Sequence, residues 1–164
     1  MGTANPQRYM FFVTDTLETR QSKIRSFVKT EPAIAVLLAA MDFEWTVRRA
    51  ILALGVSPTK AIHAQFGATN SGGLSALNEH WKLEVTPRLR IGLPAVVPDW
   101  NQLKTKAFVL RHKLIHGVQG NTGINFAGRV VEQILAASSA VAKFAEANGA
   151  PVYGINIRRL KPRC

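Results

Sequence analysis

The chain has 164 residues, of which 21 are Lys or Arg and 10 are Asp or Glu, so its formal net charge is +11. This length fits one domain, and a composition that is 47% hydrophobic and 19% charged is typical of a packed globular protein. Disordered basic proteins combine low hydrophobicity with high charge and are therefore excluded. The excess positive charge must lie on a folded surface.

The cysteine and hydropathy patterns limit the cellular setting. The single cysteine, Cys164, excludes an intramolecular disulfide and a zinc site built from cysteines. The first twenty residues lack the basic and apolar regions of a secretory signal. The most apolar stretch, residues 32–54, carries four charged residues near its middle, which would be costly inside a bilayer. We therefore expect a cytoplasmic protein that does not enter membranes.

Apolar residues recur at three- and four-residue intervals over most of the chain, which is the spacing of amphipathic helices. Start and stop signals such as Ser57-Pro58, Asp99 and Gly117 delimit these segments. In chain order the predicted helices cover about residues 7–28, 32–54, 57–66, 74–85, 100–116 and 126–148. A loop at 67–73 and a proline-containing connector at 87–98 lie between them, and residues 153–157 could form a short strand.

These elements predict an all-α fold, a small bundle of four to five helices in which two long helices pack antiparallel. Residues 1–164 form a single predicted domain, with a core at about 30–149 and a basic tail at 150–164. Residues 1–82 hold nine basic and six acidic residues, whereas residues 83–164 hold twelve and four. Scattered charge usually serves solubility, but its concentration in the second half favours attraction to phosphate groups.

The helix predicted over residues 100–116 carries the most informative side chains. On a helical wheel Arg111 falls inside the apolar arc, whereas His112 and His116 lie one turn apart at its edge. A buried arginine needs a compensating partner, and the simplest one is a structural ion pair with Glu44 or Asp42. Aromatic residues in this half are few and mostly at core-like positions, so base stacking and sequence-specific RNA recognition are not predicted.

The combination of histidine and arginine indicates phosphodiester chemistry. Histidine takes and gives a proton near neutral pH, and the planar guanidinium of arginine suits phosphate oxygens. Such a reaction needs no metal, but it needs the ribose 2′-OH, which DNA lacks. His112 and His116 also have the i, i+4 spacing of metal ligands, but no carboxylate accompanies them. We therefore predict RNA as the partner, and neither a metal nor a cofactor.

The pattern Arg111-His112-x3-His116, an R-x4-H with a polar residue after the arginine, resembles the motif of the HEPN superfamily (higher eukaryotes and prokaryotes nucleotide-binding). Residues 37–54, LLAAMDFEWTVRRAILAL, are similar to the second helix of that family. The resemblance covers about residues 30–149. It implies a HEPN-like fold and a metal-independent endoribonuclease of RNA-processing, toxin-antitoxin or phage-defence systems. It also implies a homodimer in which two R-x4-H helices build a composite cleft.

The resemblance also implies roles for individual residues. Arg111 and His116 would be the catalytic pair, and His112 would orient or bind the phosphate. The residues that would support the cleft or bind substrate are Lys113, Glu44 and Arg48. One toxin subgroup of the family has a tyrosine two residues after the histidine, and this chain has Val118 there. Silencing by a nucleotidyltransferase that acts on that tyrosine is therefore not expected. Another antitoxin or regulatory partner is still compatible with the sequence.

Two alternatives to an enzyme remain at this point. In the first, the protein is a helical module that binds nucleic acid or nucleotides without catalysis, with Arg111 as a phosphate anchor. In the second, it is a structural or regulatory dimer in which Arg111 only pairs with Glu44.

Overall fold

A computed structural model describes residues 15–68, 73–154 and 156–161. The helices are α1 (Leu17–Ser26), α2 (Pro32–Leu54), α3 (Thr59–Ala68), α4 (Leu74–Glu84), α5 (Thr86–Leu89), α6 (Leu93–Val96), α7 (three consecutive segments, Trp100–Gln102, Leu103–Ala107 and Phe108–Ile115) and α8 (Ile124–Ala147). No strand occurs in these ranges, so the all-α prediction is confirmed. The strand predicted at 153–157 is absent at 153–154 and 156–157, and residues 7–14 of the first predicted helix lie outside the described part.

The described ranges contain eight helices rather than the predicted four to five. Six of the eight correspond to the six helical segments read from the sequence, and the other two, both short, lie in the region predicted as a connector at about 87–98. Pro87 and Pro94 instead occupy the first turn of α5 and α6. A first-turn N–H has no partner within its helix, so proline is tolerated there.

Helix α2 has the predicted bounds because both of its ends are set locally. Pro32 lies in its first turn, and Gly55 follows its last residue. A Cβ atom at Gly55 would lie 2.6 Å from the Ile51 carbonyl oxygen and 2.8 Å from Ile62 Cδ1. Only glycine therefore allows the chain to turn here while Ile62 of α3 packs against the end of α2.

The two longest helices, α2 and α8, run in the same direction, so they are not the antiparallel pair across a short turn that the sequence predicts. A Cβ atom at Gly128, near the start of α8, would lie 3.5 Å from Val28, which precedes α2. Ser138 lies beside Asp42 at the middle of both helices. Antiparallel packing applies to helices joined by a short turn, whereas five other helices separate these two along the chain.

The central core lies between α2 and α8, whose facing side chains are apolar and fully or almost fully buried. Examples are Phe43, Val47, Ile51, Val131, Ile134 and Val141. Helix α1 covers the same pair, because Gln21 Nε2 donates to the Leu135 carbonyl and the Ser139 hydroxyl of α8. No helix in the described ranges is both long and apolar enough to cross a bilayer.

Part of the basic excess holds the C-terminal segment against the end of α2. Arg159 donates to the carbonyls of Gly55 and Ser57 at 2.9 and 2.6 Å, and the Leu160 N–H donates to the Ala53 carbonyl at 2.8 Å. These contacts satisfy carbonyls that a helix C-terminus leaves without partners. At least Arg159 of the basic tail therefore has a structural role.

Candidate functional site

Helix α7 packs against α2 and thereby positions the predicted motif. Leu103, Ala107 and Leu110 are buried as the wheel predicts, and Phe108 contacts Phe43 of α2 edge to face, with ring centroids 5.8 Å apart. The Leu103–Ala107 segment has π-helical winding, which the sequence did not predict. Its wider turns keep both Leu103 and Ala107 in the core, while the intervening Lys104, Thr105 and Lys106 are exposed.

Arg111 points toward α2 and forms an ion pair with Glu44, with Nη2 and Oε1 2.9 Å apart. Both side chains are mostly buried, with 22% and 17% of their surfaces exposed. The buried Oε1 atom has no partner with hydrogen-bond geometry, so the pair is held by charge rather than by an aligned hydrogen bond. Of the two predicted partners the structure selects Glu44, because Asp42 is paired with Arg20 of α1.

His112 and His116 lie side by side at the exposed end of α7, with ring centroids 4.2 Å apart and planes inclined at 51°. His116 is the residue at which the helix ends. Gly117 then adopts a left-handed conformation with φ 68°, which suits glycine. The N–H groups of Val118 and Gln119 donate to the Lys113 carbonyl and close the helix end. Both imidazoles are therefore accessible to solvent on a well-defined helix terminus.

The structure brings together some of the predicted site residues within one chain. Glu44 and Arg111 are in contact, and so are His112 and His116. Among the described residues no hydrogen bond or ion pair joins Arg111 to His116, and Lys113 is exposed without such a contact. Within one chain Arg111 faces Glu44 of α2, whereas His116 lies at the exposed end of α7.

A second cluster, formed by Arg48, Phe66 and His80, lies next to this site. The sequence assigned a supporting role to Arg48 but did not predict the cluster. The Arg48 guanidinium lies over the ring of Phe66 of α3, 5.1 Å from its centroid. On its other side Phe66 contacts His80 of α4, also at 5.1 Å and nearly perpendicular. These three residues come from three different helices, so no spacing in the sequence connects them.

Burial and charge shift the pKa values in this cluster. Burial, followed by the positive charge of Arg48, lowers the pKa of His80 below its usual value. Burial alone would raise the pKa of Glu84, but hydrogen bonds from Ser57 and Gln65 and the charge of Arg159 outweigh that effect and lower it. His80 is thus kept neutral and Glu84 is kept ionised near neutral pH.

The His80 shift predicts a pH dependence of stability. Because the folded-state pKa lies below the usual histidine value of 6.5, the unfolded chain binds a proton more readily, and stability decreases as pH falls from about 6.5 through the folded-state pKa. We expect His80→Gln to reduce the difference in unfolding free energy between pH 7.5 and 5.5. Urea denaturation of both proteins measures this, and an unchanged difference would contradict the shift.

Apolar side chains are concentrated around the exposed end of α7. Five of the nine large apolar side chains that are exposed in the described residues belong to this region: Val109, Ile115, Val118, Ile124 and Phe126. Phe126, near the start of α8, is 40% exposed. A concentration of exposed apolar side chains is typical of an interface.

No protein-family model, curated protein or solved structure matches the chain. The described residues contain no group of three metal-ligating side chains that could hold a metal ion. The resemblance to the HEPN superfamily therefore depends on the R-x4-H residues and on the helix that carries them.

Proposed function

We propose that the protein is a cytoplasmic, homodimeric, metal-independent endoribonuclease of the HEPN type. The observation that carries this proposal is the pair of exposed imidazoles, His112 and His116, which follow Arg111 by one and by five residues at the end of a single helix. Imidazoles supply proton transfer near neutral pH, and an arginine supplies a permanent charge for phosphate oxygens. RNA processing, toxin-antitoxin systems and phage defence are the settings in which such an enzyme would act, with an antitoxin or other regulator as a further partner.

The reaction would proceed by attack of a ribose 2′-OH on the neighbouring phosphorus. A bond forms from O2′ to phosphorus, and the bond from phosphorus to O5′ breaks, which leaves a 2′,3′-cyclic phosphate and a 5′-hydroxyl. His116 would take the proton from the 2′-OH or give one to the leaving oxygen. Arg111 would stabilise the charge that develops on the phosphate oxygens, and His112 and Lys113 would bind the phosphate.

The contact with Glu44 is compatible with this role of Arg111. Arginine has five N–H donors in a planar fork, and the contact to Glu44 is made by Nη2. The side chain remains 22% exposed, so a phosphate can approach it from the solvent side. Glu44 would then hold the guanidinium in place, which is the supporting role proposed for it.

A homodimer would complete the site. Arg111 and His116 lie about 140° apart on an ideal helix of 100° per residue, so one chain does not readily direct both at the same phosphate. A two-fold axis beside α7 would let Arg111 of one protomer face His116 of its partner. The exposed Val109, Ile115 and Val118 provide apolar surface for such an interface.

Incubation of the purified protein with single-stranded RNA in EDTA tests the proposal. We expect cleavage to a 2′,3′-cyclic phosphate, with the matching DNA strand left intact. Cleavage that requires a divalent metal would contradict the mechanism. Absence of cleavage with salt-sensitive retention of RNA would favour the binding module, and absence of both would favour the structural dimer, to which the Arg111–Glu44 ion pair also gives support.

A further inference from the structure

Arg48 differs from every other arginine that is at least partly buried in the described residues. Six arginines fall in this class, and five of them bind a carboxylate or a backbone carbonyl: Arg20, Arg49, Arg88, Arg111 and Arg159. Arg48 contacts neither among the described residues and lies over the ring of Phe66. A partly desolvated cation is costly without an anion, and the aromatic face compensates for only part of that cost.

Glu84 is the carboxylate that acts on His80 in this cluster, but it forms no ion pair with Arg48 among the described residues. Glu84 accepts hydrogen bonds from the Ser57 N–H at 2.9 Å and from Gln65 at 2.7 Å. The positive charge of Arg159 also acts on Glu84. Glu84 therefore already has other partners and does not pair with Arg48. His80, which borders the same cluster through Phe66, carries no negative charge. Arg48 therefore lies on an aromatic ring and makes no ion pair of its own in the described residues, because Glu84 is held by Ser57 and Gln65 and Glu44 is paired with Arg111.

The position of Arg48 relates this charge to the proposed cleavage site. Arg48 follows Glu44 by four residues in α2, so the two side chains lie on the same helix face, with Cβ atoms about 5–6 Å apart. Glu44 in turn contacts Arg111 of α7. Glu44 therefore has both arginines as neighbours, Arg111 in direct contact and Arg48 one turn further along the same face of α2.

We propose that Arg48, oriented by Phe66 and His80, binds a backbone phosphate next to the one that is cleaved. This inference rests on the proposed function and narrows its substrate to polyribonucleotides with at least one phosphate beyond the scissile bond. The phosphate would supply the anion that Arg48 lacks, and binding would not depend on base identity.

Two substrates separate this role from a general structural one. The first is a dinucleoside monophosphate, which has only the scissile phosphodiester, and the second is an oligoribonucleotide with several flanking phosphates. We expect Arg48→Ala to lower kcat/KM on the oligoribonucleotide about tenfold more than on the dinucleoside monophosphate, the effect of losing one charge-assisted hydrogen bond to the flanking phosphate. Arg48→Lys, which keeps the charge, should recover part of the loss. An equal loss on both substrates, or no loss on either, would overturn the inference.

A binding measurement tests Arg48 independently of cleavage. With His116→Ala as the background, RNA affinity is measured over a range of salt concentrations. Arg48→Ala should reduce the slope of log affinity against log salt by about 0.7, the contribution of one phosphate contact on a single strand. Lys143→Ala, which removes an exposed cation of α8, is the matched control and should not change the slope. If the protein with His116 intact binds RNA but does not cleave it, the proposed function fails, while the salt slope still decides the role of Arg48. An unchanged slope, or no RNA binding, overturns that role.

Discussion

Replacement of His116 by alanine is expected to lower the rate of RNA cleavage in EDTA by about 10²- to 10⁴-fold, which is the usual contribution of a general acid or base. His116 is exposed and directly follows the last residue of α7 as its C-cap. Its replacement should therefore leave the melting temperature almost unchanged, so a loss of activity would not reflect unfolding. Asn101→Ala, an exposed position at the opposite end of the same helix, is the control that should retain activity.

Mixing two inactive variants tests whether the site is shared between protomers. In a dimer of one Arg111→Ala chain and one His116→Ala chain, the second chain keeps Arg111 and the first keeps His116, so one of the two composite sites is intact. Random exchange would restore about a quarter of wild-type activity if each site draws one residue from each protomer. A mixture that stays inactive despite proven exchange, or a His116→Ala protein that cleaves RNA normally, would contradict the composite centre.

Features set by neighbouring residues could be predicted from the sequence. The bounds of α2 follow from Pro32 and Gly55, which act on the backbone at their own positions. The buried face of α7 follows from the spacing of Leu103, Ala107 and Leu110. The π-helical winding between these residues could not be predicted, because it depends on how α7 fits against the other helices rather than on its own apolar pattern.

Features that depend on non-neighbouring elements were predicted incompletely or not at all. The sequence left Glu44 and Asp42 as equal candidates for Arg111, and the choice depends on α1, which places Arg20 against Asp42. The shared direction of α2 and α8 depends on the path of all the helices between them. The cluster of Arg48, Phe66 and His80 joins α2, α3 and α4, so only the folded chain reveals it.

The ion pair between Arg20 and Asp42 is expected to be the polar contact on which stability depends most. Both side chains are completely buried, and Nη2 and Nε of Arg20 lie 2.6 and 2.7 Å from Asp42 Oδ1. The guanidinium also lies 3.9 Å from the ring centroid of Trp45. Removal of one partner of a buried pair leaves the other charge without compensation. We therefore expect Arg20→Ala to lower the unfolding free energy by about 3–5 kcal/mol at pH 7.

Arg25→Ala is the matched control, because Arg25 lies on the same helix and pairs with Glu132 at a similar distance, 2.7 Å, but at the surface. Screening by solvent limits its effect to about 1 kcal/mol or less. Urea denaturation of the two variants and the wild-type protein measures both losses. Equal losses of unfolding free energy in the two variants would show that burial does not increase the contribution of the Arg20–Asp42 ion pair.

The pH dependence of the unfolding free energy of Arg20→Ala tests whether the unpaired Asp42 carboxylate causes the loss of stability. Burial already raises the pKa of Asp42, and the Arg20 charge opposes that effect, so the substitution should raise the pKa further. A carboxyl group with a raised folded-state pKa stabilises the fold when it is protonated, and this contribution is lost as pH rises through the folded-state pKa. The loss caused by Arg20→Ala should therefore be smaller at acidic pH than at pH 7. The double variant Arg20→Met with Asp42→Leu removes both charges and leaves neither unpaired. The part of the loss in unfolding free energy that Arg20→Ala shows at pH 7 but not at acidic pH should therefore be absent from it.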